Sequence, residues 1–159
     1  PIGVIVTGSG RIENGLDNIV FSNEGKSVIF TSEQGLPNLE ELARENKNVS
    51  IETIGQEPRK LDMKKMLRIL KSKYNVERFL ALGGPGFSTE LIMQDCVDNF
   101  YINTSLTLSG NKNVGAFFSH ETGFKLPKNL DLVSLKMTEI PPEGNEGEFT
   151  FYLHSTRKK

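Results

Sequence analysis

The stretch RFLALGGPGFSTELI, Arg78 to Ile92, decides how this chain is read. An apolar run meets two glycines, a proline and a third glycine, followed by residues at helical spacing. The pattern predicts a strand over Arg78–Leu82, a turn, and a helix from about Phe87 to Gln94. Gly83 and Gly84 have two readings at this point. Either they make a plain strand-to-helix turn, or they bring backbone close to a ligand that tolerates no side chain.

Working outward, the upstream sequence alternates strand and helix signals. IGVIVTG (Ile2–Gly8), SVIFTS (Ser27–Ser32) and VSIETI (Val49–Ile54) are β-branched runs that predict buried strands. Ile12 to Lys26 is rich in Gly and Asn and reads as a loop. Pro37 and Asn38 open a short helix with Leu39, Leu42 and Ala43 inward and Glu40 paired with Arg44. Asp62 is placed to cap a longer helix, whose inner face is Met63, Met66, Leu67, Leu70 and Tyr74. Downstream, NFYINTSLTL (Asn99–Leu108) is strand-like. DLVSLKMTEI and GEFTFYLHS predict an antiparallel pair, joined by the polar hairpin loop Pro141–Glu148. Alternation followed by strands implies a three-layer α/β fold, with a mostly parallel central sheet and antiparallel C-terminal strands.

The bulk properties narrow the function classes. The 159 residues carry a net charge of −1, with 36% apolar and 25% charged residues. They favour one domain over 1–159 and give no global reason to expect nucleic acid or an anionic membrane as partner. No apolar run approaches the roughly 18 to 20 residues of a membrane span. The lone cysteine, Cys96, has no internal disulfide partner, which fits a reducing, cytoplasmic setting. The chain opens at Pro1 and enters a strand at once, so it reads as a fragment, a processed chain or a renumbered one.

In parallel α/β sheets, ligands sit outside the carboxyl ends of the strands. Three such ends carry small or hydroxyl residues: TGSGR (Thr7–Arg11), TSEQG (Thr31–Gly35) and GGPG (Gly83–Gly86). A dinucleotide pyrophosphate needs backbone N–H groups at a helix N-terminus with no Cβ in the way, which Gly83, Gly84 and Gly86 fit. An adenosine 2′-phosphate needs hydroxyls and a guanidinium. Thr7, Ser9 and Arg11, or Thr31 and Ser32, supply these. The alternative is that the glycines are turn residues and the hydroxyls ordinary strand ends. The stretch is neither a Walker loop nor GxGxxG.

FLALGGPGFSTELIMQDCVDNFYI resembles a segment of the riboflavin-pathway pyrimidine reductases, which share the fold of dihydrofolate reductase. The family's double glycine, helix and Val-Asp pair fall in register on Gly83, Gly84, Phe87, Leu91, Val97 and Asp98. PIGVIVTGSGRI and SVIFTSEQG also resemble its middle section, so the likeness covers most of the chain. The resemblance implies an NADPH cofactor, with Leu82, Gly83, Gly84, Pro85, Gly86 and Phe87 at the pyrophosphate. It places Thr7, Ser9, Gly10, Arg11, Thr31 and Ser32 at the adenosine. It further implies a cis peptide between Gly83 and Gly84, a homodimer, and a small-molecule substrate, best a ribosylamino- or ribitylamino-pyrimidine. Departures are Leu82 where the family is often acidic, Asn99 where it has Glu, Gly86 in place of a small or hydroxyl residue, and no proline near Ser105. The family's first strand and substrate-contacting segments precede the point where this sequence begins. No residue here matches a proton donor.

The implied activity is an NADPH-dependent reductase transferring hydride to a C=N or C=O carbon. The alternatives are a non-catalytic nucleotide-binding module of the same fold and another Rossmann-like nucleotide-using enzyme. His120 and His154 have no partner spaced for a metal, and Cys96 reads as a small core residue. The basic run Lys64, Lys65, Arg68, Lys71 and Lys73 reads as a solvated helix face. Phe117 and Phe118 read equally as core or interface, and the final TRKK as a frayed tail.

Overall fold

SVIFT at Ser27–Thr31 (β2) is the spine of the first half of the molecule. It pairs in parallel with Gly3–Val6 (β1) on one side and Val49–Thr53 (β3) on the other, giving the order β1-β2-β3. Every residue of β2 is buried. A parallel strand covered on both faces needs such an uninterrupted apolar run, and the sequence provides it. The computed structural model describes residues 2–12, 25–105, 130–140 and 148–157, with side chains described over 2–12 and 25–101. Two compact units are present, Pro1–Ala81 and Leu82–Lys159.

In the first unit, parallel strands need crossovers, and between β2 and β3 helical segments provide one. After β2 comes a 3-10 turn, Leu36–Leu39, with Pro37 in its first turn. It continues into a short helix, Glu40–Glu45 (α1). Leu39 is buried, while Leu42 and Ala43 are half-buried. Glu40 and Arg44 pair at 3.5 Å on the exposed side.

Met63–Tyr74 (α2) follows β3. The Asp62 carboxylate accepts the Lys65 N–H at 2.7 Å and so caps the N-terminus. Asn75 closes the helix in the left-handed region (φ 55°). Met63, Met66 and Leu70 are buried, as are Val28, Ile29, Phe30, Leu39 and Ile54, and these are the core residues of this unit. Burying each such side chain contributes about 1.5–3 kcal/mol. Lys64, Lys65, Arg68, Lys71 and Lys73 are all exposed, as a solvated face requires.

One polar tie joins α2 to the sheet. A single oxygen of Glu52 on β3, Oε1, accepts from Lys73 Nζ at 2.6 Å and from the Tyr74 hydroxyl at 2.8 Å. The Glu52 side chain is only 17% exposed. Burial alone pushes its carboxyl up. The hydrogen bonds from Lys73 and Tyr74, with the charges of Lys73 and Lys65, outweigh burial and hold it below its ordinary value of 4.5.

Arg78–Leu82 departs from expectation. The segment is not a strand, and among the described residues no ladder includes it. Leu80 and Leu82 are 74% and 88% exposed. An apolar run records a preference for pleated backbone, but a strand exists only where a neighbour takes its N–H and C=O groups.

In the second unit, Pro85–Met93 (α3) starts at Gly84 as its N-cap, with Pro85 in the first turn. Pro85 loses nothing there, because the first N–H groups of a helix have no internal acceptor. Asp95 takes the left-handed turn after the helix (φ 57°), and the Cys96 N–H returns to the Leu91 carbonyl at 2.8 Å. Thr89 and Leu91 are buried. Asn99–Ser105 (β4), Leu130–Ile140 (β5) and Glu148–Arg157 (β6) form an antiparallel sheet in the order β4-β6-β5. Tyr101 pairs with His154, and the β5–β6 register shifts between Leu132 and Ser134. The hairpin loop, His120, Phe117, Phe118 and Leu106–Leu108 lie outside the described residues.

Candidate functional site

The carboxyl ends of β1 and β2 lie side by side because the strands are parallel and in register, Val6 opposite Phe30. The chain leaving β1 curls into a tight loop. Thr7 Oγ1 donates to the Arg11 carbonyl at 3.0 Å, and the Gly10 N–H reaches the Thr7 carbonyl at 3.4 Å. Ser9 Oγ accepts the Arg11 N–H at 3.4 Å. Gly10 has φ +69°, a conformation that side chains disfavour.

Ser32 stitches this loop to the one that follows β2. Its buried hydroxyl donates to the Gly8 carbonyl at 2.7 Å and accepts the Gly35 N–H at 2.9 Å. Asn38 adds a second stitch, Nδ2 donating to the Ser9 carbonyl at 2.8 Å. Thr7, Ser9, Gly10, Arg11, Thr31 and Ser32 are therefore gathered at one end of one sheet. Ser9 and Arg11 are exposed, whereas Gly10, Thr31 and Ser32 are buried. Thr31 Oγ1 is buried with no hydrogen-bond partner among the described residues. An orphaned hydroxyl costs about 1–3 kcal/mol.

The loop after β3, absent from the sequence expectations, closes over the same end. Glu33 and Gln34 donate backbone N–H groups to the Gly55 and Gln56 carbonyls at 2.8 and 3.2 Å. A Cβ on Gly8 would overlap the Pro58 carbonyl, one on Gly10 would overlap the Gly35 carbonyl, and one on Gly35 would overlap the Gly8 carbonyl. These three glycines are required by the packing of the chain against itself.

Leu82–Phe87 belongs to the second unit and has a different character. Leu82, Gly83, Gly84, Pro85 and Gly86 are exposed, and Phe87 is half-buried. A Cβ on Gly83 would collide with the Phe87 ring. At Gly84 and Gly86 a Cβ would meet nothing within 4 Å among the described residues. The Gly83–Gly84 peptide is trans, which corrects the cis expectation, since no cis bond occurs among the described residues. Gly84, at φ −68° and ψ 177°, makes the turn with ordinary extended backbone, so nothing offsets the 3 to 4 kcal/mol or so that a cis bond would cost.

The N–H groups of Gly86 and Phe87, in the first turn of α3, have no acceptor inside the helix. Together with open space at two glycines and the partial positive charge of a helix N-terminus, this turn suits a phosphate group of a dinucleotide. In the first unit, taken by itself, the exposed Arg11 and the orphaned Thr31 hydroxyl are groups that suit the polar part of a nucleotide. Each unit by itself therefore presents groups that fit a part of the cofactor that the sequence implies.

Asn38, Gly8, Gly35 and Pro58 are the site residues that the sequence reading did not assign. The glycines stood inside TGSGR and TSEQG. Asn38 and Pro58 carried no local signal, because their contacts span 29 positions or join loops from different strands.

Comparison with known proteins bears on the family and the fold. The family described as RibD C-terminal domain matches residues 1–140. The structure is similar to RibD of Acinetobacter baumannii, with a TM-score of 0.68 and 17% identity, covering 98% of this chain and 37% of that one. It is similar to a pyrimidine reductase-like protein of Corynebacterium diphtheriae, also with a TM-score of 0.68, at 15% identity, covering 100% of this chain and 62% of that one. This chain thus spans less than two thirds of either relative. No curated protein matches it. The match over residues 1–140 assigns the chain to the RibD C-terminal domain family, and its fold is of the dihydrofolate-reductase-like α/β type.

Proposed function

We propose that this chain is the nucleotide-binding domain of an NADPH-dependent reductase of the riboflavin pathway. The observation that carries the reading is the start of α3, where Gly84 and Gly86 leave open space in front of unpaired helical N–H groups. Leu82, Gly83, Gly84, Pro85, Gly86 and Phe87 would hold the pyrophosphate. Gly83 serves by making room for the Phe87 ring, which fixes the turn. Thr7, Ser9, Gly10, Arg11 and Thr31 would border the adenosine, and Ser32 would hold the two loops in place for it.

When bound, NADPH supplies the hydride for a C=N or C=O carbon. The protein groups position cofactor and substrate. Membership in the RibD C-terminal domain family supports a ribosylamino- or ribitylamino-pyrimidine as that substrate. The same reading has the protein acting as a cytoplasmic homodimer. No helix among the described residues is long and apolar enough to cross a membrane.

Titration with NADPH, followed by absorbance-monitored turnover with a pyrimidine substrate, tests the proposal. Saturable binding with oxidation of NADPH is the expected result. Binding without turnover would instead identify a nucleotide-binding module of the same fold. No binding of NADPH or NADH at high micromolar concentration overturns both.

A further inference from the structure

The loop Thr7–Arg11 carries Ser9 and Arg11 exposed at its tip, and little inside the loop fixes that tip. Of its three internal bonds, two are long: the Gly10 N–H to the Thr7 carbonyl and the Arg11 N–H to Ser9 Oγ, both at 3.4 Å. Hydrogen bonds at that length are weak. Gly10, at φ +69°, belongs to the residue type with the most backbone freedom to lose. The tip therefore depends on its surroundings for a single shape.

Asn38 is the neighbour that reaches the tip. Its Nδ2 donates to the Ser9 carbonyl at 2.8 Å, across 29 positions of sequence. Among the described residues, no other group outside the loop hydrogen-bonds to Ser9, Gly10 or Arg11. The Asn38 Cβ also lies 3.2 Å from where a Gly10 Cβ would stand, so the same residue packs on the glycine. Asn38 is itself anchored. Its N–H donates to the Gly35 carbonyl at 3.2 Å, Pro37 before it fixes φ in the 3-10 turn, and Leu39 after it is buried. A short side chain on a pinned backbone holds a carbonyl with little ordering cost. Ser32 differs, because it is buried and holds Gly8 at the base of the loop. Asn38 is exposed, so water can take the place of its amide and the fold does not depend on it.

We infer that Asn38 is a positioning residue of the nucleotide site, whose amide holds the Ser9 carbonyl and so keeps the tip Ser9–Arg11 in one conformation for the adenosine portion. This rests on the nucleotide-binding reading of the site. A tip that must be ordered at the moment of binding lowers the apparent affinity by the fraction of time it is competent. The Asn38 amide removes that loss in advance.

The test is equilibrium binding of NADPH and of adenosine 2′,5′-bisphosphate to the wild type, Asn38→Ala and Asn38→Leu, with urea unfolding and amide hydrogen exchange of each protein. Leucine keeps the approximate shape of asparagine without a donor. Both variants are expected to bind the two ligands about fivefold to tenfold more weakly, the worth of one hydrogen bond, with little change in the unfolding midpoint. The Gly10 and Arg11 amides should exchange faster in the free variants than in the free wild type. Wild-type affinity in either variant overturns the inference and leaves the nucleotide site standing. A loss of affinity without faster exchange at Gly10 and Arg11 overturns it too. If the wild type binds neither ligand, the nucleotide-binding reading fails and the inference with it.

Discussion

The glycines at the ends of β1 and β2 and the glycines at the start of α3 look alike in the sequence and differ in the structure. Gly8, Gly10 and Gly35 are packed against carbonyls of the chain itself. A Cβ on Gly84 or Gly86 meets nothing within 4 Å among the described residues. The first group lets two loops close on one another. The second is not required by packing among the described residues. A glycine-rich strand end is therefore not one kind of signal, and adding a Cβ separates the kinds.

The largest effect should come from filling the packed group. Gly10→Val combines a backbone overlap with a left-handed φ, and Gly8→Val drives a side chain into Pro58. Each should destabilise the protein by more than about 3 kcal/mol, lowering the midpoint of urea unfolding or preventing folding. A near-wild-type midpoint for either would break the distinction. Gly83→Val should fall between the groups, since it displaces only the Phe87 ring.

Next is the stitch that holds the packed group. Ser32→Ala removes the donor to the Gly8 carbonyl and one of the two acceptors of the Gly35 N–H, whose bond to the Ser32 backbone carbonyl at 3.1 Å remains. A loss of about 1–3 kcal/mol is expected in denaturant unfolding. An unchanged midpoint would mean that packing alone holds the loops.

Smaller again is the Glu52 tie between β3 and α2. A carboxyl held below its ordinary value in the folded state adds stability above the unfolded pKa. That stability is lost as pH falls through the folded value. The difference in stability between wild type and Glu52→Gln should therefore be largest near neutrality and shrink below 4.5, the ordinary value. Because Lys73 is exposed, solvent screening should keep the effect at pH 7 small. A pH-independent difference would show that the loss is one of packing.

These contrasts indicate what the chain makes legible. β1, β2 and β3 were readable because each is a short β-branched run, and α2 because its buried residues recur at 63, 66 and 70. Asp62 was readable because a cap is a local, short-range device. Arg78–Leu82 was misread because a strand depends on a partner that the run itself does not specify. The Gly83–Gly84 isomer was carried over from resemblance, and no local chemistry here enforces it. Thr7 to Arg11 and Thr31 to Ser32 were singled out as candidates by a general rule about strand ends, and the parallel register of β1 and β2 sets them side by side. The roles of Asn38 and Pro58 arise only when loops distant in sequence are brought together by the parallel register.

The most direct measurement is NADPH affinity of Gly84→Val, taken alongside its thermal unfolding. Open space at Gly84 and its extended backbone predict a stability within about 1 kcal/mol of wild type. The isopropyl group should nonetheless stand where the pyrophosphate approaches, so NADPH binding should fall at least about a hundredfold, more than the loss of a single hydrogen bond explains. A folded Gly84→Val protein that binds NADPH as the wild type does would contradict the account and leave the glycine pair as a turn.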